Sequence, residues 1–319
     1  FADNSSRLPL LVVEHSFPRW VHLDAKVDSV DERPRQLRPV AAFLGRPAHA
    51  VPWVGRGTRA EIGSQHQLNP ALVARDAVEI GVGADEIGVN GAYFRVHHFA
   101  QQLASPFPLL SAIGAKTSRI EIGTGVIDMR YENPFYMAED AGAADLIAGG
   151  RLQLGLSRGS PEQVIDGWRH FGFQPAPGET EQDMARRHTE VFLDLLRGEG
   201  FAQPNPRPMF PNPPGLLRVE PHSPTLRDRI WWGAASDATA EWAAKLGMNL
   251  MSSTLLTEAT GASFADLQAE QIALYRAAWR EAGHDWSPRV SVSRSIFPIV
   301  SDLDLTVRSY NCLKREGIH

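Results

Sequence analysis

Short apolar strands alternate with amphipathic helices at least six times in one chain direction. This predicts an α/β fold with parallel strands and crossover helices, a TIM (β/α)8-type barrel. Two further observations favour a barrel over an open nucleotide-binding sheet. The strands are short, and no Gly-x-Gly-x-x-Gly opening follows the first of them. The chain stops soon after its last strand, so either the N-terminal segment supplies missing barrel parts, with Leu8 to Val13 as a candidate strand, or the barrel is incomplete at the C-terminal end.

The central stretch is Arg151-Leu-Gln-Leu-Gly-Leu-Ser-Arg-Gly159. Leu152, Leu154 and Leu156 alternate with Gln153 and Gly155, the period-2 pattern of a strand. It ends in Ser157, Arg158 and Gly159, and Pro161-Glu162 then look like the first turn of a helix. A cation and a hydroxyl delivered to a helix start suit an anion such as phosphate. An ordinary strand-to-helix turn with an exposed Arg explains the same residues.

Elements around it follow from similar signals. Leu8 to Val13 is a short apolar run of strand type. The rest of residues 1–70 carries scattered prolines and little periodicity, and reads as an atypical, partly irregular N-terminal segment. Leu72 to Ile87 suits a helix and Gly91 to Val96 a strand that ends in His97-His98. Ser105-Pro106 opens a helix to about Thr117. Arg119 to Ile127 is a strand ending at Asp128, and Asn133-Pro134 opens a helix that carries Glu139 and Asp140.

After a polar connection from Gly167 to Thr180, Gln182 to Leu196 forms a helix with Met184, Val191, Leu195 and Leu196 largely on one face. Arg186 and Arg187 lie near its start. A Pro-rich loop covers Ala202 to Pro224. Arg229 to Ala235 is a strand, and Ser236-Asp237 caps a helix from Ala238 to Leu246, ended by Gly247. Asn249 to Ser253 is a short strand, Phe264 to Ala282 a long amphipathic helix, and Arg289 to Val300 a strand. The barrel domain thus spans 71–300, with a C-terminal tail over 301–319.

Bulk properties narrow the function classes. A net charge of −5 without a long basic run argues against nucleic acid. No apolar run approaches the roughly 20 residues of a membrane helix. The single cysteine, Cys312, excludes a disulfide or a cysteine-based metal site within one chain. These features point to a cytoplasmic, reducing setting without membrane attachment. His97 and His98 are adjacent and point in different directions, unlike spaced zinc-ligating histidines, so no metal is expected. No Gly-x-Ser-x-Gly elbow supports a hydrolase.

In such barrels the active site lies at the C-terminal ends of the strands. There the sequence places His97 and His98, Asp128, Ser157 and Arg158, Ser236 and Thr239, and Ser252 and Ser253. Each has a plain structural explanation: hydrogen-bonded scaffolding for the histidines, a turn for Asp128, a helix cap for Ser236. Their convergence is what points to a site, since one cation, two hydroxyls and a helix start can face one anion.

Five segments carry a family resemblance: Tyr93-Phe-Arg-Val-His-His-Phe99, Ile122-Gly-Thr-Gly-Val126, Asn133-Pro134 through Ala138-Glu139-Asp140, Gly149 through Gly159, and Ala235-Ser-Asp-Ala-Thr-Ala-Glu-Trp242. In this order they resemble the bacterial luciferase-like flavin-dependent monooxygenases over roughly residues 84 to 300. The resemblance implies a TIM barrel that uses reduced FMN as cosubstrate and molecular oxygen to oxidise a small organic substrate such as an aldehyde. A separate flavin reductase and a homodimer are the partners it implies. It makes His97 the active-site histidine, although Val96 stands where the family signature has Glu. Arg158, Arg186, Ser236 and Thr239 match contacts to the flavin phosphate, with Arg187 replacing Arg186 if the register slips by one. Ser157 stands where the luciferases carry a reactive Cys near the flavin ring. Two alternatives stay open: a deazaflavin-dependent oxidoreductase on the same fold, and a non-catalytic barrel that binds flavin or a protein partner.

Overall fold

The computed structural model describes residues 10–13, 21–24, 70–100, 104–159, 163–253 and 261–292. Eight strands form one sheet: β1 (Leu10–Val13), β2 (Val21–Asp24), β3 (Gly91–Phe94), β4 (Glu121–Asp128), β5 (Leu152–Ser157), β6 (Ile230–Ala234), β7 (Asn249–Ser252) and β8 (Val290–Val292). Among the described residues six α-helices connect or flank them: α1 (Pro70–Glu86), α2 (Pro106–Lys116), α3 (Pro134–Ile147), α4 (Glu181–Leu195), α5 (Asp237–Lys245) and α6 (Phe264–Ala282). The strand order is β2-β1-β3-β4-β5-β6-β7-β8. Every pair from β1 to β8 is parallel, as strand–helix alternation requires.

The N-terminal segment supplies barrel parts. The apolar run beginning at Leu8 becomes β1 and pairs in parallel with β3, Leu11 against Ala92 and Val13 against Phe94. β2 lies antiparallel at the edge beside it. No strand was expected at Val21–Asp24, where four residues offer too little periodicity to read. Expectations on the rest of 1–69, on Pro161 and on 293–319, the C-terminal tail included, lie outside the described residues.

Alternation in β5 sorts two faces. Leu152, Leu154 and Leu156 join Ile122, Ile230, Trp232 and Leu250 in the core that packs against the helices. Gln153 and Gly155 belong to the other face. There Gln153 Oε1 accepts from Trp231 Nε1 at 2.7 Å. A Cβ on Gly155 would fall 2.3 Å from the Thr124 carbonyl oxygen, so the close approach of β4 and β5 requires glycine.

One ion pair shows that the sheet curls. Arg289, just before β8, donates to both carboxylate oxygens of Glu121, the first residue of β4, at 3.0 and 2.7 Å. Four strand steps in a flat sheet would separate these residues by about 19 Å. The guanidinium also lies over the Trp231 ring at 5.0 Å, inside the curl. This is a barrel-type sheet, and among the described residues its two edges, β2 and β8, do not pair with each other. In a double-mutant cycle read by urea unfolding, Glu121→Ala and Arg289→Ala are expected to be coupled by about 1 kcal/mol. Additive losses would contradict the contact.

The end of the sheet at which the strands start is tied by charged groups. Asp145, fully buried on α3, accepts from Leu152 N at 3.0 Å, Ser223 Oγ at 2.5 Å, and both Arg229 Nη atoms at 2.6 and 2.9 Å. Arg229 Nη1 also donates to Leu152 O. One carboxylate thereby fastens α3, the start of β5 and the approach to β6. Arg151 donates to Gly114 O and Thr117 O at the end of α2, satisfying carbonyls that a helix terminus leaves open.

Several boundaries differ from expectation. β3 stops at Phe94, and Arg95 to His97 leave the sheet as an irregular segment. Among the described residues, no α-helix lies between β5 and the 3-10 turn over Gly167–Phe171: from Gln163 the chain bends, and the turn is entered through Asp166 at φ 49°. That left-handed residue breaks helical continuation. On α4 the buried face holds Met184, Ala185, His188, Thr189, Phe192 and Leu193, while Val191 and Leu195 are only half-buried. His188 defeats a purely apolar count because its Nδ1 is satisfied by Met129 O at 2.9 Å.

Candidate functional site

β3 to β7 are neighbours running in one direction, so the residues leaving their C-terminal ends share one rim. His97 leaves β3, Asp128 ends β4, Ser157 ends β5 and pairs with Asp128, and Ser252 ends β7. The last β5–β6 pair is Leu156 with Trp232. Arg158 follows the end of β5 and Ser236 the end of β6.

Two groups of side chains emerge. The first surrounds the start of α5. Ser236 is the N-cap residue in extended conformation, yet its side chain makes no capping hydrogen bond. This corrects the expected cap. The Ser236 hydroxyl instead lies 3.1 Å from Thr239 Oγ1, which donates to Ser236 O at 2.9 Å. The positive end of α5 is therefore not screened by Ser236. Arg186 reaches α5 from α4, its guanidinium 5.7 Å from the centre of the Trp242 ring. Its Nε is buried and, among the described residues, has no hydrogen-bond partner. Arg187 points elsewhere, into a two-point ion pair with Glu179 at 3.0 and 3.0 Å. Arg158 makes no hydrogen bond or ion pair with the described residues.

Ser157 is buried, and its Oγ accepts from Gly159 N at 3.0 Å, which holds the turn out of β5. Ser252 faces α6: its hydroxyl donates to Gln271 Oε1 at 2.8 Å inside the core. That bond makes Ser252 scaffolding.

The second group surrounds the histidines. His97 is half-buried. Burial pushes its pKa down, Arg95 adds to this, and Asp128 opposes it. The imidazole is therefore neutral at pH 7 and able to take a proton. Asp128 accepts from Arg130 N at 3.0 Å and binds its guanidinium at 2.7 Å, so it both starts a turn and holds a cation. His98 stacks on Tyr131, ring centres 4.2 Å apart, and meets the edge of Phe171 at 4.9 Å.

Glu132 was missed in the sequence. It lies 4.0 Å from His98 Nε2, and burial, Asp128 and Asp140 push its pKa up to about 7. Its only local signal is its place beside the Asn133-Pro134 helix start. Asn133 Oδ1 accepts from Phe135 N and Tyr136 N there, which anchors the preceding residue.

This arrangement has counterparts. Residues 55–310 match the family model described as luciferase-like monooxygenase. The chain belongs to that family. Luciferase-like relatives include the alkanal monooxygenase alpha chain of the Kryptophanaron alfredi symbiont, 27% identical over 228 residues, covering 69% of this chain and 58% of the relative. The alpha chain from Photorhabdus laumondii is 24% identical over 226 residues, covering 69% and 57%. The chain thus spans little more than half the length of these curated relatives. Among solved structures, monooxygenase RslO1 from Streptomyces bottropensis aligns with TM-score 0.54 and 21% identity over 69% of this chain and 64% of that one. The oxygenating constituent of 3,6-diketocamphane monooxygenase from Pseudomonas putida, solved with FMN, aligns with TM-score 0.51 and 18% identity over 67% and 59%. At these identities the likeness is one of fold, a luciferase-like TIM barrel. No helix among the described residues is long and apolar enough to cross a membrane.

Proposed function

We propose that this luciferase-like chain is a flavin-dependent monooxygenase that uses reduced FMN and oxygen to oxidise a small organic substrate. The observation that carries the reading is the unpartnered, buried Arg186 Nε packed over α5, whose start Ser236 leaves uncapped. A buried donor without a partner costs about 1–3 kcal/mol, so it calls for an acceptor. A phosphate monoester fits: Arg158 and Arg186 supply charge, Ser236 and Thr239 supply hydroxyls, and α5 supplies its positive end. Ser157 lines the approach between this group and the histidines.

When bound, the reduced flavin supplies the electrons that activate oxygen. His97, neutral and half-buried, holds or returns a proton at its imidazole, and Tyr131 and Phe171, packed on the neighbouring His98, help exclude water there. A flavin reductase as supplier and a second copy of the chain as partner belong to this same reading.

Titration with FMN tests it. Saturable binding is expected, and Arg158→Ala should weaken it by about 2 kcal/mol, roughly thirtyfold. Arg187→Ala, tied to Glu179, should leave it unchanged. A folded sample that binds no FMN, or that binds only a deazaflavin, would sink the proposal. Oxygen-dependent turnover of reduced FMN with a panel of aldehydes should fall about a hundredfold in His97→Ala, the loss of a general acid–base group. Unchanged turnover would remove His97 from the chemistry.

A further inference from the structure

The phosphate reading leaves one buried set unused. His98 Nε2 is buried and, among the described residues, has no hydrogen-bond partner. The ring cannot turn away easily, because Tyr131 stacks on it at 18° and Phe171 closes its edge. Tyr131 and Phe171 also meet each other at 5.1 Å, almost perpendicular. Glu132 Oε1 lies 4.0 Å from Nε2. That gap is too long for a direct hydrogen bond, yet one oxygen atom at about 2.8 Å from each end would close it.

We propose that His98 and Glu132 form a proton-transfer pair at the strand-end rim, with one protic oxygen, of water or a substrate hydroxyl, held between them. The step moves protons only. Glu132 gives its proton to the bridging oxygen as that oxygen passes its own to His98 Nε2. Carboxylic acid and imidazole become carboxylate and imidazolium, and the reverse step restores both. As a proton source for oxygenation the pair rests on the flavin reading; as a pair it does not.

The surroundings favour the loaded state near neutrality. Burial, then Asp128 and Asp140, keep the Glu132 carboxyl protonated up to about 7. Burial holds His98 neutral, with His97 adding to this and Asp128 opposing it. The other charged groups nearby are Arg95 beside His97 and Arg130 on Asp128. The 167–171 turn carries Arg169, tied to Asp166, and His170, which meets Phe99.

The test is an NMR titration of the flavin-free full chain between about pH 5.5 and 8.5. The His98 ring nitrogens, assigned by their loss in His98→Gln, should report the ionisation of Glu132 as an inflection near pH 7. It should vanish in Glu132→Gln, persist with a moved midpoint in Glu132→Asp, and remain in Arg158→Ala. The Glu132 carboxyl carbon in the unmodified chain should titrate at the same midpoint, a readout that needs no variant. A Glu132 carboxyl that titrates in the ordinary carboxylate range, or a His98 inflection that survives in Glu132→Gln, overturns the pair. Excess short-chain alcohol separates the two oxygens. A shift of the His98 midpoint identifies a substrate hydroxyl, and no shift identifies water; the pair stands in either case. Absence of FMN binding alongside the expected titration would remove the flavin reading and leave the pair intact.

Discussion

Asp145→Ala is expected to destabilise the fold by about 3–5 kcal/mol, the loss that follows when one partner of a buried ion pair is removed. Asp145 is fully buried, and the Arg229 side chain is only 13% exposed. The substitution strands that guanidinium and leaves Leu152 N and Ser223 Oγ without their acceptor. Three segments meet at this carboxylate: α3, the start of β5 and the approach to β6. The damage should therefore be global and appear as a lower urea midpoint with an unchanged slope. The double variant Asp145→Leu with Arg229→Met removes both charges and should lose less than the single one. A loss below about 1 kcal/mol for Asp145→Ala would show that water reaches the pair and screens it.

Glu132→Gln is expected to raise stability at pH 8 by up to about 3 kcal/mol. In the folded chain the carboxyl holds its proton up to about 7, against an ordinary value of 4.5. Between those values the folded state binds a proton that the unfolded state releases. Its stabilising effect is complete below about pH 4.5 and fades as pH rises through 7. The difference of 2.5 units, 7 less 4.5, corresponds to about 3 kcal/mol at about 1.36 kcal/mol per unit. Glutamine is neutral throughout, so its stability should lack that slope. Unfolding midpoints of both proteins at pH 5 and pH 8 check this, and parallel pH slopes would refute it. A carboxyl that costs stability when ionised is a common mark of a functional site.

Much of the fold was readable from local pattern. The limits of α6, Phe264–Ala282, follow directly from its amphipathic periodicity, and Asn133 caps α3 through its own side chain. β5 is marked by three alternating leucines. The alternation survives in a fully buried strand because one face packs against helices and the other carries Gln153 and Gly155. β2 gave no such signal. The capping role of Ser236 was misread because residue type reports a propensity, while the hydroxyl turned to Thr239.

The candidate site was legible in part as a set of polar strand ends. Residues at strand ends announce themselves, because an apolar run stops abruptly in polar side chains, as at His97, Asp128 and Ser157. Arg186 and Arg187 were indistinguishable in the sequence. Only packing separates them, one over Trp242 and the other onto Glu179. Glu132 carried no sign beyond its place before the Asn133-Pro134 helix start, since its environment is built by Asp128, Asp140 and His98 from other elements.

Strand and helix positions, the parallel alternation and the polar strand ends were already present in the linear order of residues, because they depend on periods of two and 3.6 along the chain. The curl of the sheet, the choice between neighbouring arginines and the proton held by Glu132 arose only on folding. They depend on burial and on charges that only folding brings together. Glu121 and Arg289, 168 positions apart, meet only because the strands wind around a common axis.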